Sequence, residues 1–375
     1  MLLAAGGTGG HFYPGFVLGQ ALRERGFEPL YLVRAGDPAA AVLDREGFPF
    51  VEVPMRGLPR RPSLELARFF WRLAQGLRLV RDVVADFQPD AVVGMGGYLT
   101  FPAAFAAGRR GIPVLLHEAN AILGLANRAS LPFASRLALG LPFPRPPGAR
   151  YALTGTPVRP SLWRLPEPQA ARRALGLDPE AATLLVFGGS QGARALNQLM
   201  PQALARAAES GSGPFQVLHL PGAKEVEAVT KAYAEAPFKT AVLPYLHEME
   251  RGYAAADLVV SRAGASTLAE LAATRRPALL IPFPHAAAGH QDVNADVAAR
   301  AGAALSISER GLTAESLAAA LRELLPSAAA GSRDAARRAR LLDMGGRWSR
   351  LGTPSAPDCV SSLAQLVGEL ADRGA

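Results

Sequence analysis

Residues 261–295, SRAGASTLAELAATRRPALLIPFPHAAAGHQDVNA, decide how this chain folds. The apolar run 257–260 stops at Ser261, turns at Gly264 and resumes as a helical pattern whose first turn Ser266 or Thr267 is placed to cap. That is a strand, a tight turn and a helix N-terminus. Such a terminus presents unpaired backbone N–H groups and the positive end of a dipole, which suits a phosphate or diphosphate. Glu270 stands about one turn into the helix. There its carboxylate can accept two hydrogen bonds from a ribose diol, or act only as a first-turn acid favoured by the dipole. The next strand, expected over 276–284, ends in a polar loop with His285, His290, Gln291, Asp292 and Asn294, side chains fit to read sugar hydroxyls.

The same device occurs twice more. LLAAGGTGGH at 2–11 and LLVFGGSQGAR at 184–194 both read as strand, glycine turn and helix, which predicts an α/β protein with two Rossmann-like domains facing across a cleft. A length of 375 residues with 49% apolar content supplies two cores. Proline-rich sequence from Pro142, and residues 157–182 with five more prolines and no strand pattern until Thr183, set the boundary: one domain at 1–157, the other at 158–345. The first turn fails the dinucleotide fingerprint, because Phe12 replaces the third glycine and Arg34 stands near where a ribose-binding acid belongs, so NAD is disfavoured. His11 is delivered to the mouth of this turn, as a hydrogen-bonded structural residue or as a catalytic one. Two further turns, Gly94-Met95-Gly96-Gly97-Tyr98 and His117-Glu118-Ala119-Asn120, follow short apolar runs and fall at the carboxyl ends of presumed parallel strands, where open α/β sheets bind ligands.

The single Cys359 excludes a disulfide framework and a cysteine zinc site, and fits a reducing cytoplasm. Met1 to Ala5 lack a preceding basic region and read as strand rather than signal peptide. The apolar stretch 91–108 is interrupted by Gly94, Gly96, Gly97 and Pro102, so strand, loop and helix are expected in place of a membrane span. A net charge of +8 attracts an anionic partner: nucleic acid, an anionic membrane or a phosphorylated substrate. No nucleic-acid module or basic-aromatic repeat is present, which disfavours the first. Across residues 55–87, arginines at 56, 60, 61, 68, 72, 78 and 81 interleave with Phe69, Phe70, Trp71, Leu73 and Leu77. This is a surface for anionic lipid headgroups, or an amphipathic helix packed on a sheet with a solvated arginine face.

Ser-Arg-Ala-Gly (261–264), Thr-Leu-Ala-Glu (267–270), Pro-Phe-Pro-His (282–285) and Gln-Asp-Val-Asn-Ala (291–295) together resemble the donor-binding signature of the MurG family of bacterial peptidoglycan glycosyltransferases. GGTGGH, GGY, HE-x-N and Thr-Pro-Val-Arg (156–159) follow the family's order along the chain. The resemblance implies a GT-B architecture whose last helix, 358–375, packs back on the first domain. It implies inverting transfer of N-acetylglucosamine from UDP-N-acetylglucosamine to the C4 hydroxyl of undecaprenyl-diphospho-N-acetylmuramoyl-pentapeptide (lipid I), giving lipid II and UDP. The enzyme would work peripherally at the cytoplasmic face of the plasma membrane, with 55–87 on its anionic surface and no nucleic-acid partner. By the same resemblance His11 is the candidate base, with Glu118 behind it; the acceptor meets His11, Gly97, Tyr98 and Asn120. The donor set is Thr8, Gly9, Gly10, Asn120, Arg159, Ser190, Gly192, Leu246, Gly264, Ala265, Ser266, Thr267, Glu270, His290, Gln291 and Asn294. No Asp-x-Asp occurs, so no metal or other cofactor is expected, and the glycine turns would stabilise departing UDP. Ala119 and His290 replace glutamines of the family pattern, and Thr156 replaces an asparagine. A diacylglycerol glycosyltransferase or a UDP-sugar epimerase on the same architecture is disfavoured by GGTGGH together with HE-x-N.

Overall fold

The structure, a computed structural model, describes residues 1–55, 64–145, 151–189, 193–326 and 332–374. The chain divides into two compact domains, Met1–Arg159 with Gly352–Ala375, and Pro160–Leu351.

The first domain holds seven parallel strands: β1 (Leu2–Ala4), β2 (Leu30–Arg34), β3 (Phe50–Val53), β4 (Val92–Gly94), β5 (Val114–Glu118), β6 (Arg136–Leu139) and β7 (Tyr151–Leu153). Their order is β3-β2-β1-β4-β5-β6-β7, a doubly wound sheet whose direction of winding reverses between β1 and β4. Such a sheet is covered on both faces, so its central strands read as unbroken apolar runs. Alternation along β1 shows the division of faces. Leu3 and Ala5 join Leu18, Leu22, Leu363 and Val367 in one core, while Leu2 and Ala4 join Val80, Val84 and Leu99 in the other. Leu363, Val367 and Leu370 recur at helical spacing on the last helix, Ala356–Gly374, which packs on helix Gly9–Glu24. On the opposite face helix Leu64–Phe87 buries Val80 and Val84 and brings Gly76 hard against Met55. Residues 56–63, part of the expected membrane-facing stretch, lie outside the described residues.

The second domain repeats the plan with six parallel strands: β8 (Ala182–Phe187), β9 (Phe215–Leu220), β10 (Thr240–Val242), β11 (Leu258–Ser261), β12 (Ala278–Leu280) and β13 (Ala304–Ser306). The order β10-β9-β8-β11-β12-β13 reverses between β8 and β11. The two Rossmann-like domains expected from the repeated strand, turn and helix are present. The strand expected over 276–284 is only three residues long. Pro277 and Pro282 bracket it, and proline has no N–H to give a ladder. Between the expected domain end at 345 and the last helix, residues 347–351 form a short 3-10 helix around buried Trp348. Among the described residues no helix is long and apolar enough to cross a membrane.

Candidate active site

In a doubly wound sheet the ligand crevice opens at the carboxyl ends of the strands beside the reversal of winding. In the first domain those ends carry the turns after β1 and β4, and they interlock. Gly96 (φ +91°) and Gly97 (φ +73°) pass under the His11 ring so closely that a Cβ on either would lie 3.0 or 3.1 Å from it. Gly7 (φ +96°) lies against the Tyr98 hydroxyl in the same way, with 3.2 Å to a Cβ. Left-handed backbone at close approach admits only glycine. Thr8 is the N-cap of helix Gly9–Glu24, but its hydroxyl does not cap the helix; Oγ1 is hydrogen-bonded to His11 Nδ1 at 3.1 Å. No carboxylate occupies the first turn, where Gly9 and Gly10 leave the dipole uncompensated. Asp37 fastens the turn from behind, Oδ2 accepting from the Gly7 N–H at 2.8 Å. The sequence reading missed this residue; its only signal is the Asp-Pro pair that follows β2.

The HE-x-N turn sits at the end of β5. Glu118 is buried and accepts four hydrogen bonds: from Asn120 N–H and Nδ2 (both 3.0 Å), Gly124 N–H (2.8 Å) and Asn127 Nδ2 (2.9 Å). In this geometry it holds the loop and Asn120. His117 is fully enclosed, its Nε2–H donating to the Gly155 carbonyl at 3.0 Å, and burial lowers its pKa so that it stays neutral. That bond ties β5 to the segment ending in Arg159, whose guanidinium lies 5.4 Å from the Tyr13 ring.

In the second domain the corresponding ends carry the turns after β8 and β11. Ser190 and Gly192 lie outside the described residues. The turn after β11 differs from expectation in one respect. Helix Ala265–Thr274 begins with Gly264 as its N-cap and no side chain caps it, so Ser266 and Thr267 fall inside the first turn. Glycine is an acceptable N-cap, and its presence moves the start forward. The first turn again carries no acid. Glu270 is half-buried and receives a hydrogen bond from the Tyr253 hydroxyl (2.8 Å), which fixes its rotamer. Tyr253 is fully buried on helix Met249–Ala255, where Leu246 packs against Gly252, 3.0 Å from the position of a Cβ.

Gln291 and Asn294 are turned toward the protein itself. Gln291 Oε1 accepts from the N–H groups of Ala263 (3.2 Å) and Phe283 (2.9 Å), and buried Asn294 donates to the Ala263 carbonyl at 3.0 Å. Together they clamp the β11 and β12 turns. His290 donates from Nδ1 to the Ala287 carbonyl at 2.7 Å and is half-buried. Arg262, a buried guanidinium of the quoted motif, is paired with Glu309 and donates to the Ile281 carbonyl at 3.1 Å. Neither Tyr253 nor this ion pair was foreseen.

Residues 1–139 match the glycosyltransferase family 28 N-terminal domain, and residues 183–342 the glycosyltransferase family 28 C-terminal domain. The chain belongs to glycosyltransferase family 28. Among curated relatives, the UDP-N-acetylglucosamine–N-acetylmuramyl-(pentapeptide) pyrophosphoryl-undecaprenol N-acetylglucosamine transferase of Cupriavidus necator is 37% identical over 99% of this chain and 98% of its own. The Halorhodospira halophila enzyme of the same name is 38% identical over 97% of each. Among solved structures, Acinetobacter baumannii MurG superposes with a TM-score of 0.77 at 27% identity, covering 98% of this chain and 99% of that one. A Rickettsia africae glycosyltransferase at 10% identity superposes with a TM-score of 0.65 over 98% of this family 28 chain and 97% of its own, a likeness of fold alone. The resemblance read from the motifs therefore extends along the whole chain.

Proposed function

We propose that this chain transfers N-acetylglucosamine from UDP-N-acetylglucosamine to the C4 hydroxyl of undecaprenyl-diphospho-N-acetylmuramoyl-pentapeptide. What carries the reading is identity of 37–38% over nearly the full length with transferases of that name. The geometry supports a division of labour. The uncapped helix at Gly264 to Thr267 receives the diphosphate, as do Ser190 and Gly192, and Glu270 accepts from the ribose diol. Leu246 borders the uracil, while Arg159, Asn120 and His290 complete the donor set with Thr8, Gly9 and Gly10. Gln291 and Asn294 serve by shaping the turn. Tyr98, Gly97 and Asn120 hold the acceptor.

The acceptor O4–H attacks the anomeric carbon from the face opposite the diphosphate. A C1–O4 bond forms as the C1–O bond to UDP breaks, the electron pair leaves with UDP, and the configuration inverts. The proton passes to His11. In the tautomer whose Nδ1–H donates to Thr8 Oγ1, Nε2 is the basic nitrogen of the ring. Helix N-termini stabilise the charge on UDP without a metal. Residues 55–87 rest on the anionic inner face of the plasma membrane: Trp71, Arg78 and Arg81, at helical spacing on one side, stand exposed while Val80 and Val84 are buried.

The test is UDP release from UDP-N-acetylglucosamine in excess EDTA, with and without a short-chain analogue of the lipid-linked muramoyl-pentapeptide. Release that needs this acceptor and survives EDTA is expected. Release that instead requires diacylglycerol, or a divalent cation, contradicts the acceptor or the leaving-group assignment respectively.

A further inference from the structure

At the amino ends of β8, β11 and β12, away from the turns described above, the second domain encloses a cavity of about 310 Å3. Its wall carries Arg172, Arg275, Arg276, Arg337 and Arg338 against the carboxylates of Asp257 and Glu180. Arg338 aside, the four other like charges gathered in a partly dehydrated recess repel one another, and two acids leave a surplus that an anion would neutralise.

Asp257 is already shared. Its Oδ2 accepts from Arg172 at 2.8 Å and from the Thr183 N–H at 2.7 Å. Arg172 also donates to the carbonyls of Ala255 (3.0 Å) and Pro179 (2.8 Å). Arg276 has no comparable set: its Nε is buried without a hydrogen-bond partner, a state that buried polar atoms rarely keep. Burial lowers its pKa, with Asp257 opposing the shift and Arg172 adding to it.

The turn that presents these arginines is fixed from outside. Arg275 is left-handed (φ +51°) at the end of helix Ala265–Thr274, where glycine is the usual residue. Gly345 packs so tightly on the Arg275 carbonyl that a Cβ would lie 2.2 Å from it, and Trp348 Nε1 donates to the Arg276 carbonyl at 2.8 Å. Leu324, Leu341 and Leu342 form the apolar side of the cavity, and Leu342 is 78% exposed.

We propose that this cavity binds a phosphate-bearing anion, its oxygens held by Arg276 with Arg275 and Arg337 and an apolar moiety lying against Leu342. A soluble phosphate ester and a lipid headgroup offer this same chemistry. The site is separate from the diphosphate turn at Gly264, since helix Ala265–Thr274 puts about 15 Å between its two ends.

Calorimetric titration of inorganic phosphate, referenced to chloride at equal ionic strength, into protein saturated with UDP reads the cavity with the donor turns filled. Saturable phosphate binding is expected, weakened about tenfold in Arg276→Gln and in Arg337→Gln, the usual size of a lost charged hydrogen bond. Unchanged UDP affinity in both variants certifies that they fold. No saturable binding beyond chloride, or equal binding in wild type and both variants, overturns the proposal. Should UDP itself fail to bind, the donor reading falls, and the same titration without UDP still decides the cavity through the two variants. Phosphatidylglycerol vesicles, with phosphatidylcholine as control, then separate the sources: displacement of phosphate identifies a headgroup, persistence identifies a soluble ester, and either upholds the site.

Discussion

The two domains are built on the same strand, glycine turn and helix, yet their glycines answer to different neighbours. In the first domain Gly7, Gly96 and Gly97 are left-handed and crowded by Tyr98 and His11, so the chain's own packing demands them. In the second, Gly264 has an ordinary backbone (φ −67°), and a Cβ there would meet nothing nearer than Thr267 Oγ1 at 3.7 Å. The fold accepts alanine at that position; the proposed close approach of a diphosphate would not. One turn is thus shaped around the His11 side chain, and the other around open backbone N–H groups; under the proposed function the first does the chemistry and the second holds the ligand.

The sharpest break between them is His11→Ala. It should lower turnover by about 10²-fold or more, the usual contribution of a general base, while leaving donor KM near the wild-type value. Turnover within about threefold would remove His11 from that role. Acid should expose what the domains share, since each buries a neutral histidine. His219, enclosed between Tyr233 (3.1 Å) and Asn197 (3.2 Å), has its pKa lowered by burial to about 3, and His117 shifts in the same direction. The unfolded chain takes up these protons first. Stability that is full above pH ~6.5 should therefore fall at about 1.4 kcal/mol per unit per histidine, or about 2 kcal/mol for His219 by pH 5. Denaturant midpoints across pH 5–7 read this slope, which His219→Gln should flatten; an unchanged slope refutes the assignment.

Glu270→Gln should raise donor KM about tenfold with kcat little altered, because a neutral amide accepts more weakly from the ribose diol. Initial rates against UDP-N-acetylglucosamine measure it. Tyr253→Phe, which removes the hydrogen bond holding Glu270, should raise the same KM about fivefold, corresponding to about 1 kcal/mol. A loss in kcat alone would mean that Tyr253 acts elsewhere. The smallest effect on folding is expected from Gly264→Ala: stability within about 0.5 kcal/mol by thermal unfolding, with any loss confined to donor KM. Marked destabilisation would show that the fold does need glycine there, and would erase the contrast.

The turns were legible because their signals are local. Apolar runs, glycines and helical spacing sit within a dozen consecutive residues, so strands β1 and β8 fall where LLAAGGTGGH and LLVFGGSQGAR put them. The helix start at 264 was misplaced for an equally local reason, since Gly264 competes with Ser266 and Thr267 for the N-cap and periodicity alone does not choose. The supports were not legible. Asp37 reaches Gly7 across 30 residues and Tyr253 reaches Glu270 across 17, and such pairings follow from topology rather than from pattern. Gln291 and Asn294 carried the right polarity for a sugar contact, but their orientation toward Ala263 depends on where the helix His290–Ala301 begins.

The contrast between the turns is tested most directly by titrating UDP calorimetrically into His11→Ala and Glu270→Gln side by side. A catalytic first turn and a binding second turn predict wild-type UDP affinity in His11→Ala and about tenfold weaker affinity in Glu270→Gln. Equal losses in both, or a loss confined to His11→Ala, would contradict that division.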